Sequence, residues 1–249
     1  MWNRIDAGGF PRPVAAVSMR GLYAIVDLGT IRARHLDPLA FADAVLSAAP
    51  VALQLRAKDS PARETLALLR ALAPMCHRIG VPLVANDRPD LAALAGCDCV
   101  HVGQEDLSIE RVRRIAPGLG VGVSTHTLSQ LEDALSAGPS YVAFGPVFET
   151  VTKMNPDPVV GVAGLRAAYA RALDYGRPLV AIGGISRERA RLLVGAADAV
   201  AVVSDLLPPP SDDGSTRDVL VDVAARARFF QELFSRPRRR SCVGGLESS

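Results

Sequence analysis

Asp87 and Asp106 each stand just past a short apolar run, in Val81-Pro82-Leu83-Val84-Ala85-Asn86-Asp87 and Val100-His101-Val102-Gly103-Gln104-Glu105-Asp106. Carboxylates are hard oxygen donors, and two of them leaving consecutive parallel strands at one sheet edge can share a cation such as Mg²⁺. Cations and hydroxyls follow other runs in the same way, in Gln54-Leu55-Arg56-Ala57-Lys58 and Thr150-Val151-Thr152-Lys153. Metal and fixed positive charge together suit a diphosphate. A second anion site is signalled by Gly183-Gly184, where a backbone without Cβ approaches a phosphate closely and a helix starting near Ser186 would aim free N–H groups at it. Val203 and Ser204 end the neighbouring run.

These residues need a common edge. Strand candidates lie near residues 22–26, 51–55, 82–85, 99–102, 120–123, 141–144, 178–182 and 199–203. Between them apolar residues recur at three and four, as in Leu39, Ala42, Val45 and Leu46, in Leu66, Leu69, Leu72 and Met75, and in Leu128, Leu131, Ala134 and Leu135. Asp37-Pro38 and Ser60-Pro61 read as helix starts, an oxygen-bearing cap before a proline whose missing N–H is harmless in the first turn. Eight strand-then-helix units fit a single (β/α)₈ TIM barrel of the α/β class better than an open doubly wound sheet. A last helix is expected over 216–235, with Val219, Leu220, Val223, Ala227, Phe230 and Phe234 on one face. The barrel then covers 21–235, after an irregular lead-in over 1–20 and before an Arg-rich tail over 236–249 expected to be disordered. Loops following barrel strands build the active site, and that is where these polar residues fall, joined by Ser124 and His126 after strand five.

The 249 residues are 49% hydrophobic and 22% charged, which excludes disordered and fibrous classes. The net charge of +2 is outweighed by Arg236, Arg238, Arg239 and Arg240, so the barrel itself offers no nucleic-acid surface. Four cysteines without regular spacing, no secretory signal and no run of about twenty apolar residues make the cytoplasm the expected location. Cys97, Cys99 and His101 share one face by period two, yet without a fourth ligand they read as packing residues. His77 and His126 show no evident partner. Taken singly, Asp106 would cap a helix beginning near Leu107, Asp87 would serve a turn before Pro89, Arg56 and Lys58 would be a solvated loop, and Gly183-Gly184 a tight turn. Their joint placement after strands argues against those readings.

Gln54-Leu55-Arg56-Ala57-Lys58, Asn86-Asp87-Arg88, His101 to Leu107, Gly145-Pro146-Val147-Phe148 with Thr150 to Lys153, and Ala181-Ile182-Gly183-Gly184-Ile185 resemble, in order, the motifs of the thiamine-phosphate synthase family. The resemblance spans about residues 21 to 207, nearly the whole expected barrel. It implies an enzyme that joins the diphosphate of an amino-methyl-hydroxymethylpyrimidine to a thiazole phosphate, with or without a thiazole carboxylate, giving thiamine phosphate and diphosphate. By resemblance Asp87 and Asp106 would bind one Mg²⁺ per active site. Gln54, Leu55, Arg56, Ala57 and Lys58, with Asn86, Ser124 and Lys153, would hold the pyrimidine diphosphate, and Arg56, Lys58, Ser124 and Lys153 would be the catalytic set. Thr150, Val151, Thr152, Gly184, Val203 and Ser204 would hold the thiazole phosphate. The partners implied are small molecules, with no nucleic acid and no membrane; a homo-oligomer is compatible with the reading. A related tautomerase type would carry a histidine where Pro146 stands and lack the second Asp of the Asn86-Asp87 pair, and a non-enzymatic carrier barrel would not need two metal carboxylates. Pro89, and residues 208–249 beyond the barrel, depart from the family pattern.

Overall fold

Each apolar run becomes one parallel strand, and the strands close in sequence order into a barrel. The computed structural model describes residues 19–150, 157–210 and 215–235. The strands are β1 (Gly21–Asp27), β2 (Ala52–Arg56), β3 (Leu83–Asn86), β4 (Cys99–Val102), β5 (Gly120–Thr125), β6 (Tyr141–Phe144), β7 (Leu179–Ile182) and β8 (Ala199–Val202). The helices among the described residues are α1 (Leu28–Ala33), α2 (Pro38–Leu46), α3 (Ala62–Arg78), α4 (Pro89–Ala95), α5 (Ile109–Ile115), α6 (Leu128–Ser136), α7 (Gly161–Asp174), α8 (Arg187–Ala190) and α9 (Thr216–Ser235). The (β/α)₈ barrel expected from the alternation is therefore present. Most of the lead-in and all of the expected tail lie outside the described residues. None of the described helices is long and apolar enough to cross a membrane.

Side chains alternate across a strand, so each strand feeds two cores. One set, including Leu22, Val26, Leu53 and Leu55, points outward and packs under the helices against Leu69, Leu72 and Phe230. The other points into the barrel: Tyr23, Ile25, Val84, Cys99, Tyr141 and Val180, above Met19 at the floor. Continuing the inward parity toward the strand ends brings up Asp27, Gln54, Arg56, Asn86, His101 and Ser124. The barrel interior thus changes from apolar to polar along its axis, which is what places chemistry at one mouth. Cys97 belongs to the outer core and Cys99 to the inner one, so the two thiols do not share a site with His101.

Local signals mostly hold. Asp37 caps α2, its carboxylate accepting from the Ala40 N–H at 2.8 Å. Ser60 does not cap α3: Pro61 itself takes the cap position and no side chain bonds there, because the proline falls one place earlier than the first helical residue. Ser108, rather than Asp106, caps α5, which begins two residues later than expected. Ser186 caps α8 as anticipated, its hydroxyl accepting from the Arg189 N–H, and that helix is four residues long before passing into a 3₁₀ turn. The last helix spans Thr216–Ser235 with Val223, Ala227, Phe230 and Phe234 buried, and Gln231 accepts from the Leu22 N–H at 2.8 Å to close the lower end of β1.

The bulk of Tyr141 fits inside the barrel only because Gly122 lies opposite. A Cβ at Gly122 would stand 2.0 Å from the Tyr141 Cζ, whereas one at the loop residue Gly118 would meet nothing within 4 Å. Gly122→Ala should lower unfolding free energy by about 2 kcal/mol or more, and Gly118→Ala by well under about 1 kcal/mol. Denaturant titration of both variants checks this; equal, small effects would mean the ring has room to shift.

Candidate active site

The upper end of β1 and β2 is joined by charge. Asp27 and Arg56 are register partners, and the Arg56 guanidinium donates to the Asp27 carboxylate at 2.5 Å. The other Asp27 oxygen accepts from the Thr30 hydroxyl at 2.6 Å and the Thr30 N–H at 2.9 Å. Burial pushes this carboxyl upward, yet the bonds from Thr30 and the bond and charge of Arg56 together hold it below the ordinary carboxylate range. Arg56 is consequently held in place rather than free to swing.

A run of hydrogen bonds crosses the barrel beneath. Asn86 accepts from Gln54 at 2.6 Å, and Gln54 accepts from the Tyr23 hydroxyl at 2.7 Å. Tyr23 and Tyr141 hydroxyls bond to each other at 2.7 Å. His101 bonds Tyr141 through Nδ1 at 2.9 Å and the Ser124 hydroxyl through Nε2 at 2.8 Å. The His101 ring stacks on Tyr141 with centroids 5.6 Å apart. Burial pushes the His101 imidazole down to about 4, against an opposing pull from Asp106, and raises both phenols well above their usual value. Gln104 fastens the rim by donating to the Ser124 carbonyl at 2.6 Å.

Asp87 and Asp106 meet as their positions after β3 and β4 suggested. Asp87 adopts φ 60°, a left-handed backbone that Asp tolerates better than most residues, and its N–H donates to the His101 carbonyl at 2.9 Å. Asp106 accepts from the Gly103 N–H at 2.7 Å. Burial, then the charge of Asp106 and a side-chain hydrogen bond with it, push the Asp87 carboxyl up to about 6, against the lowering charges of Lys58 and Arg56. The Lys58 ammonium lies 3.7 Å from Asp87. Lys58, Asn86, Asp87 and Arg88 line a cleft of about 310 Å³. Among the described residues no three His, Cys, Asp or Glu side chains gather as a metal cluster, so any metal here would rest on these two carboxylates.

On the far side, Gly183 and Gly184 take φ of 99° and 63°, and a Cβ on either would strike the Pro146–Glu149 segment, 2.5 Å from Pro146 Cα and 2.3 Å from the Glu149 carbonyl oxygen. These glycines admit the loop after β6; the space a Cβ would take is filled by protein. Thr150 is half-buried at the end of that loop, while Val151, Thr152 and Lys153 lie outside the described residues. Ser204 opens, with Arg34, Arg187 and Arg226, onto a second cleft of about 360 Å³, and Val203 packs against the barrel interior. Leu55 is buried in the outer core and Ala57 packs against it, so they place their neighbours in the chain.

Sequence reasoning missed Asp27, Tyr23 and Tyr141, and both histidines without evident partners have them. His77 contacts Asp98 at 3.0 Å. His126 donates through Nδ1 to the Gly145 carbonyl at 2.6 Å and faces Asp157 at 3.4 Å. Asp27 carries the same signal that revealed Asp87, a carboxylate ending an apolar run; the tyrosines, inside their runs, read as core.

A family model described as thiamine monophosphate synthase matches residues 22–206. The chain is 46% identical over 202 residues to a thiamine-phosphate synthase of Koribacter versatilis, covering 78% of this chain and 92% of that protein. It is 40% identical to one of Roseiflexus castenholzii, covering 86% and 92%. Among solved structures, a thiamine phosphate pyrophosphorylase from Pyrococcus furiosus superposes with a TM-score of 0.71 at 27% identity, over 88% of this chain and 96% of that one.

The Asp27–Arg56 pairing makes a pH prediction. The folded carboxyl titrates below its unfolded value, so its contribution to stability is complete above about pH 4 and is lost as pH falls through the folded value. Asp27→Asn should therefore flatten the acid limb of stability below about pH 4. Thermal midpoints of both proteins across that window provide the check, and parallel limbs would show that the pairing adds no stability.

Proposed function

The chain belongs to the thiamine monophosphate synthase family and is an enzyme of thiamine biosynthesis that joins a pyrimidine to a thiazole, and we propose that it does so at the polar mouth of the barrel by expelling diphosphate from the pyrimidine. The observation that carries the reading is Asp87 facing Asp106 with Arg56 and Lys58 acting on the same carboxylate. A pair of acids brought together this closely is poorly stabilised alone and well suited to a shared divalent cation. The donor set fits Mg²⁺, which takes one or two carboxylates and completes its shell with substrate phosphates and water. When bound there, Mg²⁺ would neutralise charge on the diphosphate.

The chain's own groups supply the rest. The C–O bond to the diphosphate breaks with its electron pair passing to the departing oxygen. Arg56, pre-set by Asp27, and Lys58 stabilise that growing negative charge, and Lys153 joins them in this assignment. The thiazole nitrogen then donates its lone pair to the pyrimidinylmethyl carbon, forming the new C–N bond. No protein nucleophile or base is needed, which agrees with a buried His101 whose basicity is lowered by desolvation. Gln54, Asn86 and Ser124 would orient the pyrimidine, and orientation of two bound reactants is itself a large part of the acceleration. Thr150, Val151, Thr152, Gly184, Val203 and Ser204 would hold the thiazole phosphate, with Gly184 acting through its backbone N–H. Residues 21–235 form the single catalytic unit in this assignment.

Purified protein with Mg²⁺ and both precursors should yield thiamine phosphate and diphosphate in equal amounts. Asp87→Asn and Asp106→Asn should each lower kcat/KM by about a hundredfold without lowering the thermal midpoint. Chromatographic product assay with a coupled diphosphate assay decides it: no product from folded protein rejects the reaction, and activity surviving both substitutions rejects the metal seat.

A further inference from the structure

The chain of bonds from Asn86 to Ser124 has a direction, and proton counting determines it. Each phenol owns one proton. Tyr23 spends its proton on the Gln54 carbonyl oxygen, because the Gln54 amide nitrogen is turned to Asn86. The bond between the two phenols must then be donated by Tyr141. That uses the Tyr141 proton, so the bond between Tyr141 and His101 must be donated by Nδ1–H. His101 is buried and its ring nitrogens meet only the Tyr141 and Ser124 hydroxyls, with no carboxylate to balance a charge, so the imidazole is neutral. A neutral ring carrying its proton on Nδ1 has a bare Nε2, which can only accept, so the Ser124 hydroxyl must donate to it. At the other end, Asn86 accepts from Gln54 with its oxygen and keeps its NH₂ for an anion at the mouth, as a diphosphate requires.

We infer that His101 is a positioning residue: held as the Nδ1–H tautomer by Tyr141, it engages the Ser124 hydroxyl proton, so that Ser124 can only accept a hydrogen bond from the substrate and selects a pyrimidine bearing an N–H donor. Ser124 meeting a pyrimidine rests on the synthase reading, whereas the proton order belongs to the free protein. An amino group on the ring satisfies an acceptor-only Ser124. An oxo group in its place would set two acceptors against each other, and leaving such groups unpaired is what makes hydrogen-bonding sites discriminate strongly. The stacked Tyr141 ring keeps the imidazole from rotating, so the tautomer and the direction of Nε2 are fixed together.

Two measurements on the full chain test this. In ¹⁵N-histidine-labelled protein, long-range ¹H–¹⁵N correlation reads the tautomer of each ring. The chain has four histidines, and His35→Asn, His77→Asn and His126→Asn assign three of them, leaving His101. A protonated Nδ1 and bare Nε2 are expected; the reverse tautomer, in which every bond of the chain swaps donor and Ser124 is free to donate, overturns the proposal. In the second, kcat/KM is compared for the aminopyrimidine diphosphate and its oxo analogue. Native protein should prefer the amino compound by about a hundredfold or more, and His101→Gln and Ser124→Ala should each cut that ratio about tenfold, with no further loss in the double variant. A ratio that falls in Ser124→Ala but not in a folded His101→Gln overturns the positioning role. If neither pyrimidine reacts in native protein, the synthase reading fails while the tautomer still decides the proton order.

Discussion

Two carboxylates held within hydrogen-bonding reach are an unfavourable arrangement, and much of this barrel's upper face is organised around keeping Asp87 and Asp106 there. Neither side chain is held by chance. Asp87 sits in a left-handed turn whose N–H is tied to β4, and Asp106 folds back onto Gly103. Lys58 and Arg56 offset part of the repulsion, and Arg56 is itself oriented by Asp27 from the neighbouring strand. Local electrostatic strain persists where surrounding structure over-determines it, and such sites are typically functional.

The polar floor beneath the acids follows a different rule. Buried polar groups must be satisfied, and here each one satisfies the next across the barrel, from Asn86 on β3 to Ser124 on β5. The network depends on volume as well as bonding, since Tyr141 can reach both Tyr23 and His101 only across the space left by Gly122. Apolar packing thereby sets the positions of groups that would face the substrate.

The fold and much of the site were legible because strand exits are marked locally. Apolar runs placed every strand within about two residues, and the first polar residues after those runs, Gln54, Arg56, Asn86, Asp87, Asp106 and Ser124, are the ones proposed for the site. What escaped was set by register or by interior position. Asp27 matters because β1 pairs with β2 so as to place it beside Arg56, and no local pattern states that pairing. Tyr23 and Tyr141 lie inside apolar runs, and their hydroxyls become informative only once three strands bring them together. The Gly183-Gly184 pair, read from the sequence as a close approach to a phosphate, is also required by the close passage of the loop after β6. Ser60 and the helix after Ser186 show that a cap residue announces a helix without giving its first residue or its length.

The most direct test of the central claim is calorimetric titration of the full chain with inorganic diphosphate, with Mg²⁺ and then with excess EDTA. The account predicts binding that requires Mg²⁺ and loses that requirement, along with most of its affinity, in Asp87→Asn and Asp106→Asn. Equal binding with and without Mg²⁺ in the native protein would contradict it, for the diphosphate would then be held by Arg56 and Lys58 alone and the facing carboxylates would have no part in holding it.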